Sequence, residues 1–156
     1  MRGKKAKPRE IKPDHLHKSV LVQKFINKVM KDGKKNIAAK LVYDAIDELA
    51  KKTKKDALEA FEEAINNIKP KVEVRSRRVG GANYQVPVPV DEKRQESLAI
   101  RWILKAARDA RKKSDFAQAL ADTLVASINK EGPAYKKRED THKMAEANKA
   151  FAQFAW

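Results

Sequence analysis

The spacing of apolar residues predicts a mainly α-helical protein with one β-hairpin. Apolar side chains recur every three or four positions through most of the chain, as they do on one face of an amphipathic helix. Only between residues 71 and 90 do apolar and polar residues alternate, which is typical of strands. We therefore predict a single domain of about six helices, in which three helices precede a protruding two-stranded β-hairpin and three follow it.

Residues that favour helix starts and stops indicate where these helices lie. The predicted first residues or N-caps are Ser19, Asn36, Asp56, Asp91, Ser114 and Pro133. We expect the first helix to end at Gly33, because glycine accepts the left-handed conformation that often follows a helix. The predicted core face of the fourth helix consists of Leu98, Ala99, Trp102, Ile103, Ala106, Ala107 and Ala110.

Residues 71–90, called the ribbon below, contain the strand pattern. Two runs, residues 72–79 and 84–90, flank a turn that begins with Gly80 and Gly81. Pro87 and Pro89 lack the amide hydrogen that a third strand would need, so we expect the ribbon to stand alone. With a period of two, we expect an apolar face and a basic face. The predicted apolar face consists of Val72, Val74, Tyr84, Val86, Val88 and Val90, and the predicted basic face of Glu73, Arg75, Arg77 and Gln85.

The charge balance indicates a polyanionic partner. The chain has 36 Lys and Arg against 21 Asp and Glu, a net charge of +15. Residues 1–18 hold seven basic residues and two acids and little apolar surface, so we predict a disordered basic tail there and a helical domain over residues 19–156. No apolar run approaches the roughly 18 to 20 residues of a membrane-spanning helix. The absence of cysteine fits a cytoplasmic protein.

Basic side chains also cluster on the predicted fourth helix. Arg101, Lys105, Arg108 and Lys112 follow one another at steps of four, three and four, so they form one stripe on the helix surface. Like charges at this spacing repel each other, which favours an anionic partner, although a merely solvated helix face would have the same pattern.

The sequence has no recognisable catalytic or metal-binding set. It lacks a phosphate-binding loop and a nucleophile paired with a base, so we predict no enzymatic activity and no cofactor. Its histidines are the pair His15 and His17 and a single distant His142, and it has no cysteine, so we predict no zinc site, which normally needs three or four protein ligands.

Four segments resemble one known family. They are FINKVMKDGKKNIA (residues 25–38), VEVRSRRVGGANYQVPV in the ribbon, SLAIRWILKAAR (residues 97–108) and KKREDTHKMAEANKAF (residues 136–151). Together they are similar to small-subunit ribosomal protein seven of the bacterial type. The resemblance implies a structural ribosomal protein that binds small-subunit (16S-type) rRNA in its 3′ major domain and nucleates assembly of the subunit head. It also implies a monomer near exit-site tRNA and mRNA, with small-subunit ribosomal proteins nine and eleven as neighbours.

The resemblance and the charge pattern together assign candidate binding residues. The predicted rRNA-binding residues are Lys4, Lys5, Lys7, Arg9, Lys12, Lys34, Lys35, Arg75, Arg77, Arg78, Arg94, Arg101, Lys105, Arg108, Arg111, Lys112, Lys113, Lys136, Lys137, Arg138 and Lys143. The predicted tRNA-proximal part of the ribbon consists of Arg78, Gly80, Gly81, Asn83 and Tyr84. The chain departs from the family at its end, which reads FAQFAW where a His-Tyr-Arg-Trp ending is typical.

Two other functions compete with this interpretation. A DNA-architectural protein could insert the ribbon into a minor groove, but such arms usually carry an apolar wedge at the tip, where this chain has Gly80 and Gly81. An enzyme that acts on RNA is the second alternative, and the missing catalytic set argues against it.

Overall fold

The helices and strands follow one another in the predicted order. The computed structural model describes Gly3, Ala6 and residues 9–111 and 115–154. The described elements are α1 (Val20–Val29), α2 (Lys35–Thr53), α3 (Ala57–Ile68), β1 (Val72–Val79), β2 (Ala82–Pro89), α4 (Glu92–Ala110), α5 (Phe116–Ile128), α6 (Gly132–Ala147) and a 3₁₀-helix (Lys149–Phe154). The predicted fold class, mainly α with one hairpin, is confirmed. Lys4, Lys5, Lys7, Lys112, Lys113 and Ser114 lie outside the described residues.

Helix α5 lies at the centre of the domain, in contact with α2, α3, α4 and α6. Its sequence is apolar around most of its circumference, and a helix of that kind is stable when other helices surround it. Leu120 and Leu124 are fully buried in it. Phe25 of α1 and Phe61 of α3 add an edge-to-face aromatic pair with centroids 5.2 Å apart.

Two of the predicted helix ends are wrong. Helix α1 ends at Val29 instead of Gly33, and Asp32 and Gly33 form the following turn with φ of +53° and +72°. Helix α5 has Asp115 as its N-cap instead of Ser114, and the Asp115 carboxylate accepts a hydrogen bond from the amide of Phe116 at 2.7 Å. Both errors have one cause: several adjacent residues can occupy a cap, and the surrounding packing selects one.

The predicted core face of α4 needs a smaller correction. Ala110 is exposed, whereas Ile100 and Leu104 are almost fully buried. Helix α4 packs against α1, α3, α5 and α6, so it buries a wider face than a single stripe. No helix in the described residues has the length and apolarity needed to cross a lipid bilayer.

The buried carboxylate of Asp14 holds the segment before α1. It accepts hydrogen bonds from the amides of Leu16 (3.0 Å), His17 (2.8 Å) and Ser19 (2.8 Å). The hydroxyl of Tyr43 donates to it from α2. Burial acts to raise the pKa of Asp14, but these hydrogen bonds stabilise the charged form and lower it below its ordinary value. Asp14 thus attaches this segment to α2 through Tyr43. The end of the basic tail at residue 18 stays a prediction.

The register of the ribbon differs from the predicted one. A two-residue turn at Gly80 and Gly81 joins the strands, so Val79 pairs with Ala82, Arg77 with Tyr84 and Arg75 with Val86. Paired residues of antiparallel strands lie on the same face of the sheet. Arg75 and Arg77 therefore share the face of Tyr84 and Val86, and the predicted separation into an apolar and a basic face is wrong. A shift of one residue in the turn reverses the faces of a whole strand.

The ribbon rests on α6 and the 3₁₀-helix. Val86 is fully buried, and Tyr84 contacts Phe151 and Phe154 with ring centroids 5.2 Å apart in both pairs. Pro87 and Pro89 alternate with the residues that exchange ladder hydrogen bonds, so their nitrogens point away from β1. Within the described residues the sheet has only these two strands.

Candidate nucleic-acid interface

One exposed surface of α4 is strongly basic. Arg101, Lys105 and Arg108 all lie on the solvent side of the helix, opposite the buried Ile103 and Ala107. This placement follows from their spacing, because residues three or four apart stack on one side of a helix. The three side chains, together with Lys28 of α1, line a groove between the two helices.

A second depression, the basic cleft, continues from the same surface. Its rim carries four cations, Lys31, Lys34, Arg108 and Arg111, from the turn after α1 and the end of α4. The turn through Asp32 and Gly33 places Lys34 beside this end of α4, more than 70 residues away in sequence. We call Lys28, Lys31, Lys34, Arg101, Lys105, Arg108 and Arg111 the basic face.

The two adjacent lysines after Gly33 do not share one surface. Lys34 lines the basic cleft, whereas Lys35 lines a depression beside the N-terminal segment with Arg9, Lys12 and Lys18. Both lysines are predicted rRNA-binding residues, and the structure places them on different surfaces. Because α2 begins at Lys35, its first residues already diverge around the helix axis.

The sequence interpretation missed several basic residues of this surface. Lys28 and Lys31 belong to the basic face, and Lys93 lines an adjoining groove with Arg9 and Lys28. The spacing of Lys24, Lys28 and Lys31, at steps of four and three, places them on one side of the predicted first helix and is the sequence signal that indicates this surface. Lys24 differs from the other two, because its ammonium pairs with Glu96 at 2.7 Å.

Two of the predicted arginines are bound to a buried carboxylate at the base of the ribbon. Glu73, 7% exposed, lies within 2.6 Å of Arg75 Nη2 and 2.8 Å of Arg94 Nε. Burial acts to raise the pKa of Glu73, but hydrogen bonds and charge from both arginines lower it below the ordinary range. Arg94 therefore connects the ribbon to α4, Arg75 pairs with the same acid from within the ribbon, and the cluster keeps one net positive charge.

The predicted tRNA-proximal residues divide into two groups. Arg78 and Asn83 pair across the ribbon and are exposed, and Gly80 and Gly81 form the tip with φ of +57° and +90°. A residue with a side chain would be strained at either glycine. Tyr84, in contrast, turns toward the body and packs on the 3₁₀-helix, so it supports the ribbon from below.

The candidates on α6 do not form a surface of one charge. Lys136 and Lys143 line a shallow depression together with Glu131, Glu139 and Asp140. Lys137 is exposed, but Arg138 is half-buried, with its guanidinium 5.2 Å from the ring centre of Tyr135.

His142 of α6 has a structural contact. Its Nε2 atom accepts a hydrogen bond from the amide of Lys71 at 3.1 Å, where the ribbon begins. Burial lowers the pKa of His142, and the charges of Arg138 and Lys71 lower it further. Among the described residues no three His, Cys, Asp or Glu side chains are grouped closely enough to hold a metal ion.

Comparisons with known proteins agree with the resemblance in the sequence. The family model described as "Ribosomal protein S7p/S5e" matches residues 1–149. Curated relatives named "Small ribosomal subunit protein uS7" are 55% identical in Thermosipho africanus and in Thermotoga maritima, and 52% identical in Nautilia profundicola. Each alignment covers 100% of this chain and 100% of the relative.

These comparisons also decide between the competing interpretations. The relatives are structural components of the small ribosomal subunit and not enzymes, as the sequence predicts. The alternative of a DNA-architectural protein has no support among them. The chain belongs to the ribosomal protein S7p/S5e family, and so it is a ribosome-associated protein of the small subunit.

Proposed function

We propose that this protein binds the 3′ major domain of small-subunit rRNA and nucleates assembly of the subunit head. The observation that best supports this is the basic face. Arg101, Lys105 and Arg108 follow one another along α4, and Lys28 from α1 lies in the same groove. The groove is lined by these four cations and one acid, Asp109, and its net positive charge suits the closely spaced phosphates of a folded RNA.

Binding of this kind reads shape and backbone. Each phosphate that a lysine or arginine neutralises releases counterions, so the affinity falls steeply as salt increases. The deep and narrow major groove of A-form RNA keeps side chains from the base edges, so specificity comes from the fold of the RNA.

Nucleation of assembly follows from having two binding surfaces on one rigid body. The basic face lies on α1 and α4, and the ribbon is fixed to α4 through Glu73 and to α6 and the 3₁₀-helix by packing. RNA helices bound to the two surfaces would be held at one angle, which lowers the entropic cost of the next assembly step.

The ribbon also supports a position near the exit site. Arg78 and Asn83 are exposed near its glycine tip, where they can contact phosphates of a tRNA or mRNA backbone. Membership of the family supports the rest of the predicted environment. The protein would act in the cytoplasm as a monomer within the ribosome, beside small-subunit ribosomal proteins nine and eleven.

Binding to RNA fragments across a salt series tests the proposal. Filter binding would compare the 3′ major domain with the 5′ domain of the same rRNA and with duplex DNA of equal length. We expect the 3′ major domain to keep a preference of at least about a hundredfold as salt increases, because shape recognition does not depend on counterion release alone. Equal affinity for all three would contradict the proposal.

A matched pair of variants locates the surface. Replacement of Arg101, Lys105 and Arg108 by alanine should lower affinity for the 3′ major domain and reduce the salt slope by about three contacts. The control replaces Lys51, Lys55 and Lys149, which are exposed and paired with Glu48, Glu63 and Glu146. It removes the same charge, so an equal effect of the two triple variants would show that net charge alone determines binding.

A further inference from the structure

The basic cleft has an apolar interior as well as a cationic rim. Its floor consists of Val29, Ala38, Leu41 and Phe116, contributed by α1, α2 and α5. Ile37 forms one wall and is 59% exposed, although it belongs to the first turn of α2. Ile37 therefore extends the apolar floor of the cleft into an exposed apolar surface beside the charged rim.

The size of the cleft limits what can enter it. Its volume is about 210 Å³. Pockets for drug-sized ligands begin at about 300 Å³, so the cleft suits one compact ring system.

The charges of the rim indicate the charge of the group that remains outside the cleft. Lys31, Lys34, Arg108 and Arg111 carry four positive charges, against one negative charge on Asp115. Such a rim repels basic peptides and attracts an anion that remains attached to the group in the cleft. A nucleotide has this composition, because its base is flat and largely apolar on its faces while its phosphates are anionic.

The two helix starts at the cleft orient that ligand. Helix α5 begins beside Asp115, whose carboxylate already accepts the hydrogen bond from Phe116. Helix α2 begins at Lys35, and the side chain at its N-cap, Lys34, makes no capping hydrogen bond. A phosphate is therefore favoured beside Lys34 at the α2 end of the cleft, where the helix dipole is also positive, and disfavoured near Asp115.

The basic cleft is continuous with the proposed RNA-binding surface. Arg108 lines both the cleft and the groove that contains Lys28, Arg101 and Lys105. An RNA strand that follows the groove along α4 would therefore reach the cleft at Arg108.

We propose that the basic cleft binds one unpaired nucleotide of the rRNA, with its base against Ile37 and the apolar floor and its flanking phosphates on Lys34, Arg108 and Arg111. This inference rests on the proposed function, since it places a base contact within the same RNA complex. It adds a contact that depends on a splayed-out base, whereas the groove along α4 contacts backbone only. Unstacked bases in loops and bulges are the usual targets of such contacts in RNA.

Site-directed cross-linking tests the contact directly. The chain contains no cysteine, so Ile37→Cys introduces a unique thiol that can carry a benzophenone group. The labelled protein would be bound to full-length small-subunit rRNA and irradiated, and primer extension would locate the cross-link. The matched control is Met144→Cys on α6, another exposed apolar residue, 52% exposed and outside the basic face. We expect a cross-link from position 37 to one unpaired nucleotide, and none there from position 144.

A double-mutant cycle then measures the contact. Ile37→Gln should lower rRNA affinity by roughly three- to tenfold, somewhat less than the loss of a base stacked on an aromatic ring. An abasic site at the cross-linked nucleotide should cause a similar loss. The two changes combined should cost no more than about twofold beyond either alone, because they remove the same contact. Met144→Gln should change affinity by less than about twofold.

The possible outcomes separate the two proposals. Additive losses, a cross-link confined to paired RNA, or no cross-link from position 37 would overturn the inference. Capture of another ribosomal protein by the label in reconstituted small subunits would also overturn it and identify the cleft as a peptide site. If the coupled nucleotide lay outside the 3′ major domain, the cleft assignment would hold and the proposed rRNA domain would be wrong.

Discussion

Arg94 Nε lies 2.8 Å from Oε1 and 2.9 Å from Oε2 of Glu73, and this contact connects the first strand of the ribbon to the first turns of α4. Arg75, on the same strand as Glu73, donates to the same carboxylate. A single buried acid therefore joins the ribbon to α4, in addition to the packing of the ribbon on α6 and the 3₁₀-helix. The alternation pattern of the sequence predicts Glu73 on the basic face of the ribbon, with Arg75 and Arg77.

Replacement of Glu73 by glutamine should destabilise the protein, because it removes the charge that both arginines bind. The arginine side chains are about half exposed, at 51% and 47%, so water screens part of the interaction. We expect a loss of about 1–2 kcal/mol, or roughly 2–4 °C in Tm per kcal/mol, measured by thermal unfolding at pH 7. Glu48→Gln, which removes an exposed ion pair with Lys51, should change stability by less than about 0.5 kcal/mol.

The same carboxylate should contribute to acid sensitivity. The pKa of Glu73 in the folded protein lies below its ordinary value of 4.5, so the unfolded chain takes up a proton first as pH falls. Its contribution is complete above about pH 5 and is lost as the pH passes through the lowered folded value. Denaturation at pH 7 and at pH 3 should therefore differ less in Glu73→Gln than in the parent. An identical pH dependence would contradict the assigned cluster.

Protonation of His142 should loosen the junction between α6 and the ribbon. Its pKa lies below the ordinary 6.5, and only the neutral ring can accept the hydrogen bond from the amide of Lys71. The contribution is therefore present above about pH 6.5 and decreases as pH falls through the folded value. NMR titration of His142 should give a midpoint below the ordinary 6.5. A midpoint above 6.5 would refute the assignment.

The aromatic contacts of Tyr84 should stabilise the ribbon measurably. Tyr84→Ala and Phe151→Ala each remove one side of a pair with centroids 5.2 Å apart. Because the contact is shared, the double variant should be more stable than the sum of the single losses predicts, by about 0.5–1.5 kcal/mol. Urea denaturation of the four proteins gives this coupling. Strictly additive losses would show that the contact between Tyr84 and Phe151 does not stabilise the ribbon.

The arginines of the ribbon should differ in their effects on RNA binding. Arg78 is exposed on the outer face, whereas Arg75 is bound to Glu73. We expect Arg78→Ala to lower affinity for the 3′ major domain and reduce the salt slope by about one contact. Arg75→Ala should instead lower the Tm more than Arg78→Ala does, and should lower the affinity less than Arg78→Ala does. The reverse order of effects would mean that the ribbon contacts RNA through its other face.

Several features of this protein were predictable from sequence because they depend on neighbouring residues. The six α-helices follow from apolar spacing, and the cap at Asp56 follows from its position two and three residues before the amides it binds. The basic stripe of Arg101, Lys105 and Arg108 is likewise a property of one helix. The family also follows from sequence, because long segments of the chain match it in order.

Only the tertiary structure decided the contacts between distant parts of the chain. A shift of one residue in the turn at Gly80 and Gly81 reversed the faces of the ribbon, and period-two alternation does not determine that shift. The basic cleft brings Lys34 beside Arg108 and Arg111, which local spacing does not relate. Whether a charged residue such as Glu73 is buried depends on which side chains the folded chain places around it. The sequence by itself therefore determined the elements and their chemistry, and packing decided which charges are exposed together on the basic face and which pair with one another.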